Sequence, residues 1–136
     1  MEVCIPINAV GKERPRYSAW TKSMYTPMKT KNFENKIADY FSVYMHENGF
    51  KTIEGYVRAD TIFYIKVPKS WPKKKKQEAL DGKIRPATTP DVDNQLKSLY
   101  DGLNNVAYTD DKLIVEGSFS KLYHEEDLIN IKIIEI

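Results

Sequence analysis

The sequence predicts an α+β fold: a small mixed or antiparallel sheet with two main helices and one short helix, in the order β-α-β-α-α-β-β. Three observations carry this expectation. Residues 56–67 alternate with a period of two, two other stretches repeat apolar residues at helical spacing, and strands and helices do not alternate as in a parallel βαβ sheet. At 136 residues and 41% apolar composition, the chain suits one domain, residues 1–136, with a core of its own. No internal repeat, low-complexity tract or linker divides it.

The first element is a half-buried strand in which Val3, Ile5 and Ile7 share one side. Cys4 lies in the same apolar run and reads as a buried, inert thiol; as the only cysteine it forms no internal disulfide. A long polar loop follows, from Gly11 through Tyr17 to Thr26. Thr26 is placed to cap a helix whose first turn accepts Pro27. Phe33, Ile37, Tyr40, Phe41 and Tyr44 form the buried stripe of that helix, and Asn48-Gly49 ends it. In the next strand Val57, Ala59, Thr61, Phe63, Ile65 and Val67 face one way, and Arg58, Asp60 and Lys66 the other.

Ser70-Trp71-Pro72 introduces a short exposed helix that carries four consecutive lysines and ends at Asp81-Gly82. With Thr89 as N-cap and Pro90 as first helical residue, the second main helix runs to about Leu103 on a stripe of Leu96, Leu99, Tyr100 and Leu103. Residues 112–123 and 128–136 then read as two strands joined by His124-Glu125-Glu126-Asp127, an antiparallel hairpin.

The net charge of +2 averages over segments of opposite sign: +5 over residues 12–36, +6 over 66–85 and −4 over 91–116. Two basic arms bracket an acidic centre. Basic arms attract polyanions, whereas an acidic cluster repels them unless a cation sits in it. No apolar run spans a bilayer, which excludes a membrane protein. The start, Met-Glu-Val-Cys-Ile-Pro-Ile, lacks the regions of a secretory signal, so the expected location is the cytoplasm.

The acidic centre is the most informative stretch. Asp91 and Asp93 fall in the first turn of the predicted helix, where a carboxylate complements the helix dipole, and Asp110-Asp111 fits an ordinary turn before a strand. Asp93, Lys97 and Asp101 recur every fourth residue on one polar wall. If the two acid pairs converge, like charges about 4 Å apart repel by roughly 4 kcal/mol at an effective dielectric near 20, and a cation is required. All-oxygen ligands suit Mg²⁺ or Mn²⁺, and the missing Cys/His set argues against zinc. An EF-hand loop fails on register, because Gln95 and Leu96 stand where a ligand and a glycine belong. A hard ion beside basic arms is equipment for phosphodiester hydrolysis.

Pro90-Asp91-Val92-Asp93-Asn94-Gln95-Leu96-Lys97, Asp101-Gly102-Leu103-Asn104 and Tyr108-Thr109-Asp110-Asp111 together resemble the motif of RusA-like Holliday junction resolvases, in particular the phage and prophage branch. Gly11-Lys12-Glu13-Arg14-Pro15-Arg16, Tyr25-Thr26-Pro27 and Pro68-Lys69-Ser70-Trp71 extend the resemblance over nearly the whole chain. It implies a homodimeric, Mg²⁺-dependent endonuclease that nicks opposing strands of branched double-stranded DNA at four-way junctions, leaving 5′-phosphate and 3′-hydroxyl ends. Asp91, Asp93 and Asp111 match the family's essential carboxylates, Lys97 its important lysine, and Asp110 the acid before the last carboxylate. Asp101 takes a supporting role.

Lys97 also suits a plain i, i+4 ion pair with Asp93. Lys12, Arg14 and Arg16 on the first arm, and Lys73, Lys74, Lys75 and Lys76 on the second, are the candidate phosphate contacts; the lysine run by itself is most often a solvated face. Tyr17, Trp20 and Tyr25 suit stacking on bases, although loop aromatics more often anchor a loop to the core. His46 and His124 receive no role. Two rivals stand beside the resolvase: a non-catalytic nucleic-acid-binding module, and a restriction-type nuclease using Pro90-Asp91 with Asp110-Asp111-Lys112.

Overall fold

The strand with the strictest alternation becomes the centre of the sheet. In the computed structural model, which describes residues 1–136, β4 (Val57–Lys66) has both edges paired and buries Val57, Ala59, Thr61 and Phe63. β6 (Leu128–Glu135) lies antiparallel on one side and β5 (Ile114–His124) parallel on the other. β1 (Glu2–Ile5) closes the far edge against β6, so the order is β1-β6-β4-β5. This is the expected α+β arrangement with a mixed sheet.

One pairing differs from expectation. β5 and β6 reverse direction through the acidic turn but do not form a hairpin, because β4 lies between them. The turn arches over the end of β4 instead: the Lys66 N–H donates to Asp127 Oδ1 at 2.8 Å and the Val67 N–H to the His124 carbonyl at 3.1 Å. β4 thus has its buried backbone paired on both edges.

α1 (Met28–Asn48) packs one face on the sheet through Thr30, Phe33, Ile37, Phe41 and Met45, and ends at Gly49 with a left-handed φ of 70°. That stripe recurs at i+4, which turns Tyr40 outward to 44% exposure and leaves Tyr44 half-buried at its flank. Thr26 does not cap; Pro27 holds the N-cap position and its carbonyl accepts from the Lys31 N–H at 3.1 Å. α2 (Lys73–Leu80) sits beside β5 through the buried Ala79.

α3 (Val92–Gly102) crosses α1 closely at Gly102, where an added Cβ would stand 3.1 Å from the Glu34 carbonyl oxygen and 3.2 Å from Ile37 Cβ. Sixteen buried residues from the sheet, α1, α3, the segment after α3 and Ile53 between α1 and β4 form one core cluster. Cys4 is exposed rather than buried, since the alternation that turns Val3 and Ile5 inward turns Cys4 out.

The polar loop before α1 contains a second small sheet that was not expected: β2 (Arg16–Ser18) and β3 (Ser23–Tyr25) pair with each other alone, with Lys22 at φ 53° in the turn. No helix is long and apolar enough to cross a membrane.

Candidate active site

The acids are placed by α3 and by the segments fastened to it. The helix begins at Val92, two residues later than the cap pattern suggests, with Asp91 extended at the N-cap position. The preceding residues are held elsewhere: Lys121 Nζ on β5 donates to the Thr88 and Pro90 carbonyls at 2.7 and 3.1 Å, and Pro90 packs against Gly11. A Cβ on Gly11 would come within 2.6 Å of Pro90 Cβ, so only glycine lets the two segments approach this closely. The same loop is sewn along the helix by the Lys12 N–H on the Asn94 carbonyl, 2.9 Å, and by Ser98 Oγ on the Val10 carbonyl.

Neither Asp91 nor Asp93 serves the plain capping role. No side-chain hydrogen bond closes the N-terminus of α3, and both residues are exposed. They leave two carboxylates directed to solvent at the positive end of the helix, a position that tolerates charge.

Lys97 does not pair with Asp93. Its ammonium lies 3.4 Å from Asp101 Oδ1, one turn further on, and 3.6 Å from Asp111 Oδ2. Asp101 Oδ2 is in turn 3.1 Å from Lys12 Nζ, which contacts Glu34 Oε1 on α1 at 2.6 Å. Alternating charges thus run Asp111, Lys97, Asp101, Lys12, Glu34. The Lys97 side chain is 56% exposed and that of Lys12 only 20%. Burial lowers the Lys12 pKa, but its hydrogen bonds to Glu34 and Asp101 outweigh this and hold the ammonium above its ordinary value. Lys12, expected among the phosphate contacts, directs its charge inward to two carboxylates.

The segment that returns to α3 is fixed from below. Tyr108 is fully buried, with its hydroxyl donating to the Tyr100 carbonyl at 2.8 Å; Asn105 turns the chain at φ 63°. The Ile53 N–H and carbonyl engage Ala107 and Thr109 at 2.9 and 3.0 Å. Asn104 Oδ1 accepts the Asp111 N–H at 2.8 Å, and Asp110 Oδ1 accepts the Lys112 N–H at 3.0 Å. These bonds aim Asp111 at Lys97.

The adjacent acids have opposite proton affinities. The Lys112 N–H holds Asp110 below the usual carboxylate range. Burial raises Asp111; Lys97 opposes the rise, and Asp110 and Asp101 add to it.

No group of three or more Asp, Glu, His or Cys side chains stands close enough to form a ready metal cage. Asp91, Asp93, Asp110 and Asp111 are therefore not gathered into one closed four-carboxylate cluster; Lys97 supplies the positive charge beside Asp111. The donors still fit a hard divalent ion, because Mg²⁺ commonly takes one or two carboxylates and completes its shell with water and substrate phosphates. Asp110 and Asp111, whose carboxylates interact directly, offer such a pair.

The basic arms are mostly exposed. Arg14 is exposed and the side chain of Arg16, 65% exposed, pairs with Glu13 at 3.3 Å. On α2, Lys73, Lys74 and Lys75 are exposed and Lys76 is half-buried. Lys75 Nζ lies 4.0 Å over the Trp71 ring, which packs edge-on against Tyr123. Tyr17, Trp20 and Tyr25 are exposed and do not anchor their loop to the core. His46 is exposed on α1, and the His124 ring lies tilted against Tyr64; neither joins the acids. A groove of about 840 Å³ between β1 and α1 contains none of the candidate site residues.

Glu34, Asn104 and Lys121 were not singled out from sequence. Asn104 had a usable signal, since an Asn-Asn pair just past a helix favours side-chain capping and left-handed turns. Glu34 and Lys121 had none, because their partners lie far away in the chain.

The family described as "Endodeoxyribonuclease RusA" matches residues 6–134. The chain is also 37% identical over 131 residues to a Bacillus subtilis (strain 168) protein described as "Uncharacterized protein YqaN", covering 93% of this chain and 90% of that protein.

Proposed function

The chain belongs to the RusA endodeoxyribonuclease family, and from that membership we propose that it resolves four-way DNA junctions by paired symmetrical nicks, as a Mg²⁺-dependent homodimer in the cytoplasm. The observation that carries the reading is the Lys97 ammonium, half-exposed and held between Asp101 and Asp111, on the helix that has the exposed Asp91 and Asp93 at its N-terminus.

A phosphodiester approaching this line meets a cation already oriented. Asp101, itself clamped by Lys12, keeps Lys97 in place when a non-bridging phosphate oxygen replaces Asp111 as its second partner. Asp91, Asp93, Asp110 and Asp111 are the residues that would hold Mg²⁺ or Mn²⁺, which when bound activates water and stabilises the leaving 3′ oxygen. Arg14, Arg16 and the α2 lysines Lys73, Lys74, Lys75 and Lys76 contact backbone phosphates and orient the arms of the junction. A two-fold dimer places two such sites in fixed relation, as paired cuts require. A restriction-type site is disfavoured because Asp91 precedes a helix.

The test is a mobile four-way junction incubated with Mg²⁺ and scored for paired nicks bearing 5′-phosphates. Asp93→Asn should abolish cleavage and leave junction binding intact or tighter, since it removes a ligand and a repulsive charge. Equal cleavage by mutant and wild type would leave only the non-catalytic binding module.

A further inference from the structure

The basic loop before α1 carries a feature that phosphate binding does not use. β2 and β3 form a hairpin whose strands pair only with each other. Its large apolar side chains face water: Tyr17 is 62% exposed, Met24 61%, and Trp20, in the turn at the tip, 95%. Indole left in water on a protruding turn contributes nothing to the core, and such exposed apolar surface marks a contact with something else. Charge narrows the choice. Between Arg14 and Phe33 there is no Asp or Glu, while Arg14, Arg16, Lys22, Lys29 and Lys31 are interspersed with the aromatics along the chain. Cations interleaved with exposed aromatic faces match a polyanion that presents π-faces of its own, which is a nucleic acid with unstacked bases.

The hairpin is also tied to the acids. It springs from the segment that Lys12, Gly11 and Val10 fasten along the first turns of α3, so its position is set relative to Asp91 and Asp93. A continuous duplex hides its base faces in the stack, whereas an open, metal-free four-way junction leaves the faces of the pairs at its centre unstacked. We propose that the β2–β3 hairpin is a branch-recognition element, with Trp20 stacking on exposed base pairs at the centre of the junction. This rests on the junction reading above and assigns its structural selectivity to a residue outside the acidic line.

The experiment compares wild type, Trp20→Ala and Trp20→Phe for binding to a four-way junction and to linear duplex of the same sequence, in EDTA so that cleavage does not intervene. Trp20→Ala should lose roughly tenfold or more of its junction affinity and keep its duplex affinity within about twofold. Trp20→Phe should retain most of the preference, and junction but not duplex should quench a tryptophan emission that is absent from Trp20→Ala. Unchanged junction binding by Trp20→Ala overturns the proposal, as does an equal loss on junction and duplex. A shift of Trp20→Ala to a smaller species in sedimentation also overturns it, since the tip would then seat on a second copy of the chain. If wild type binds and cuts the junction while Trp20→Ala does the same, the hairpin inference alone falls; if wild type shows no junction preference, both fall.

Discussion

The ammonium of Lys97 lies 3.6 Å from Oδ2 of Asp111, joining a helix to the short 3-10 turn that opens nine residues beyond its end. The contact is long for an ion pair and half-exposed, so it holds the cation without consuming it. Lys97→Met, which keeps the stem and removes the charge, should lower the cleavage rate by about 10²–10³-fold, the usual effect of removing one preorganised donor from a developing anion. Thermal stability should barely change, because exposed pairs contribute little. Single-turnover cleavage beside a thermal melt reads both.

Lys12 behaves differently because its partners are inside. Lys12→Met leaves Glu34 and Asp101 without a cation in a part-buried place and should cost about 1–3 kcal/mol of stability. Its salt dependence of DNA binding should match wild type, since the ammonium faces carboxylates rather than phosphates. Denaturant unfolding and a salt titration of binding separate these effects.

Arg14 and Arg16 should show the converse. Replacing both with Ala leaves the fold unchanged, because neither supports the core, and should flatten the salt dependence by a slope of about 0.9 for each phosphate no longer neutralised. An unchanged slope removes them from the interface.

What was legible in the sequence was local. β4 announced itself by strict alternation, and α1 and α3 by their stripes, because period two and period 3.6 are written in neighbouring residues. The reversal between β5 and β6 was legible, but the insertion of β4 between them was not, since strand order is settled by distant pairing. The β2–β3 hairpin was hidden by strands of three residues with no turn dipeptide between them. Cys4 was legible by parity with Val3 and Ile5, and was misread from its residue type instead. In the site, Asp93 and Asp101 stood equally far from Lys97 along the helix; Lys12 and Asn104, reached through the fold, bring Asp101 and Asp111 to it.

On the outer face of the sheet, Arg58 Nε and Nη2 each lie 3.0 Å from Asp60, and Ser118 Oγ donates to Asp60 Oδ1 at 2.7 Å. The Ser118 hydroxyl first, and Arg58 second, hold the Asp60 pKa below its ordinary range. The folded state therefore binds this proton less readily than the unfolded chain. Its stabilisation is present above the ordinary aspartate range and is lost as pH falls through the folded value. Asp60→Asn should have a shallower acid limb in a plot of urea midpoint against pH. Parallel limbs would show that the contact does not contribute.

Asp111 carries the opposite sign. Burial raises its pKa in the folded state, so the ionised carboxylate opposes folding; this cost is absent below the ordinary range, where both states are protonated, and complete above the folded value. Asp111→Asn keeps the shape and the backbone bond to Asn104 while removing the charge. In metal-free buffer at neutral pH it should melt about 1–3 °C higher than wild type, and the difference should vanish in acid. The same variant should be inactive on junction DNA, which is the trade expected of a carboxylate retained for chemistry rather than for stability. A lower melting temperature at neutral pH would instead mean that the pair with Lys97 outweighs desolvation, and that Asp111 belongs to the structural framework of the site.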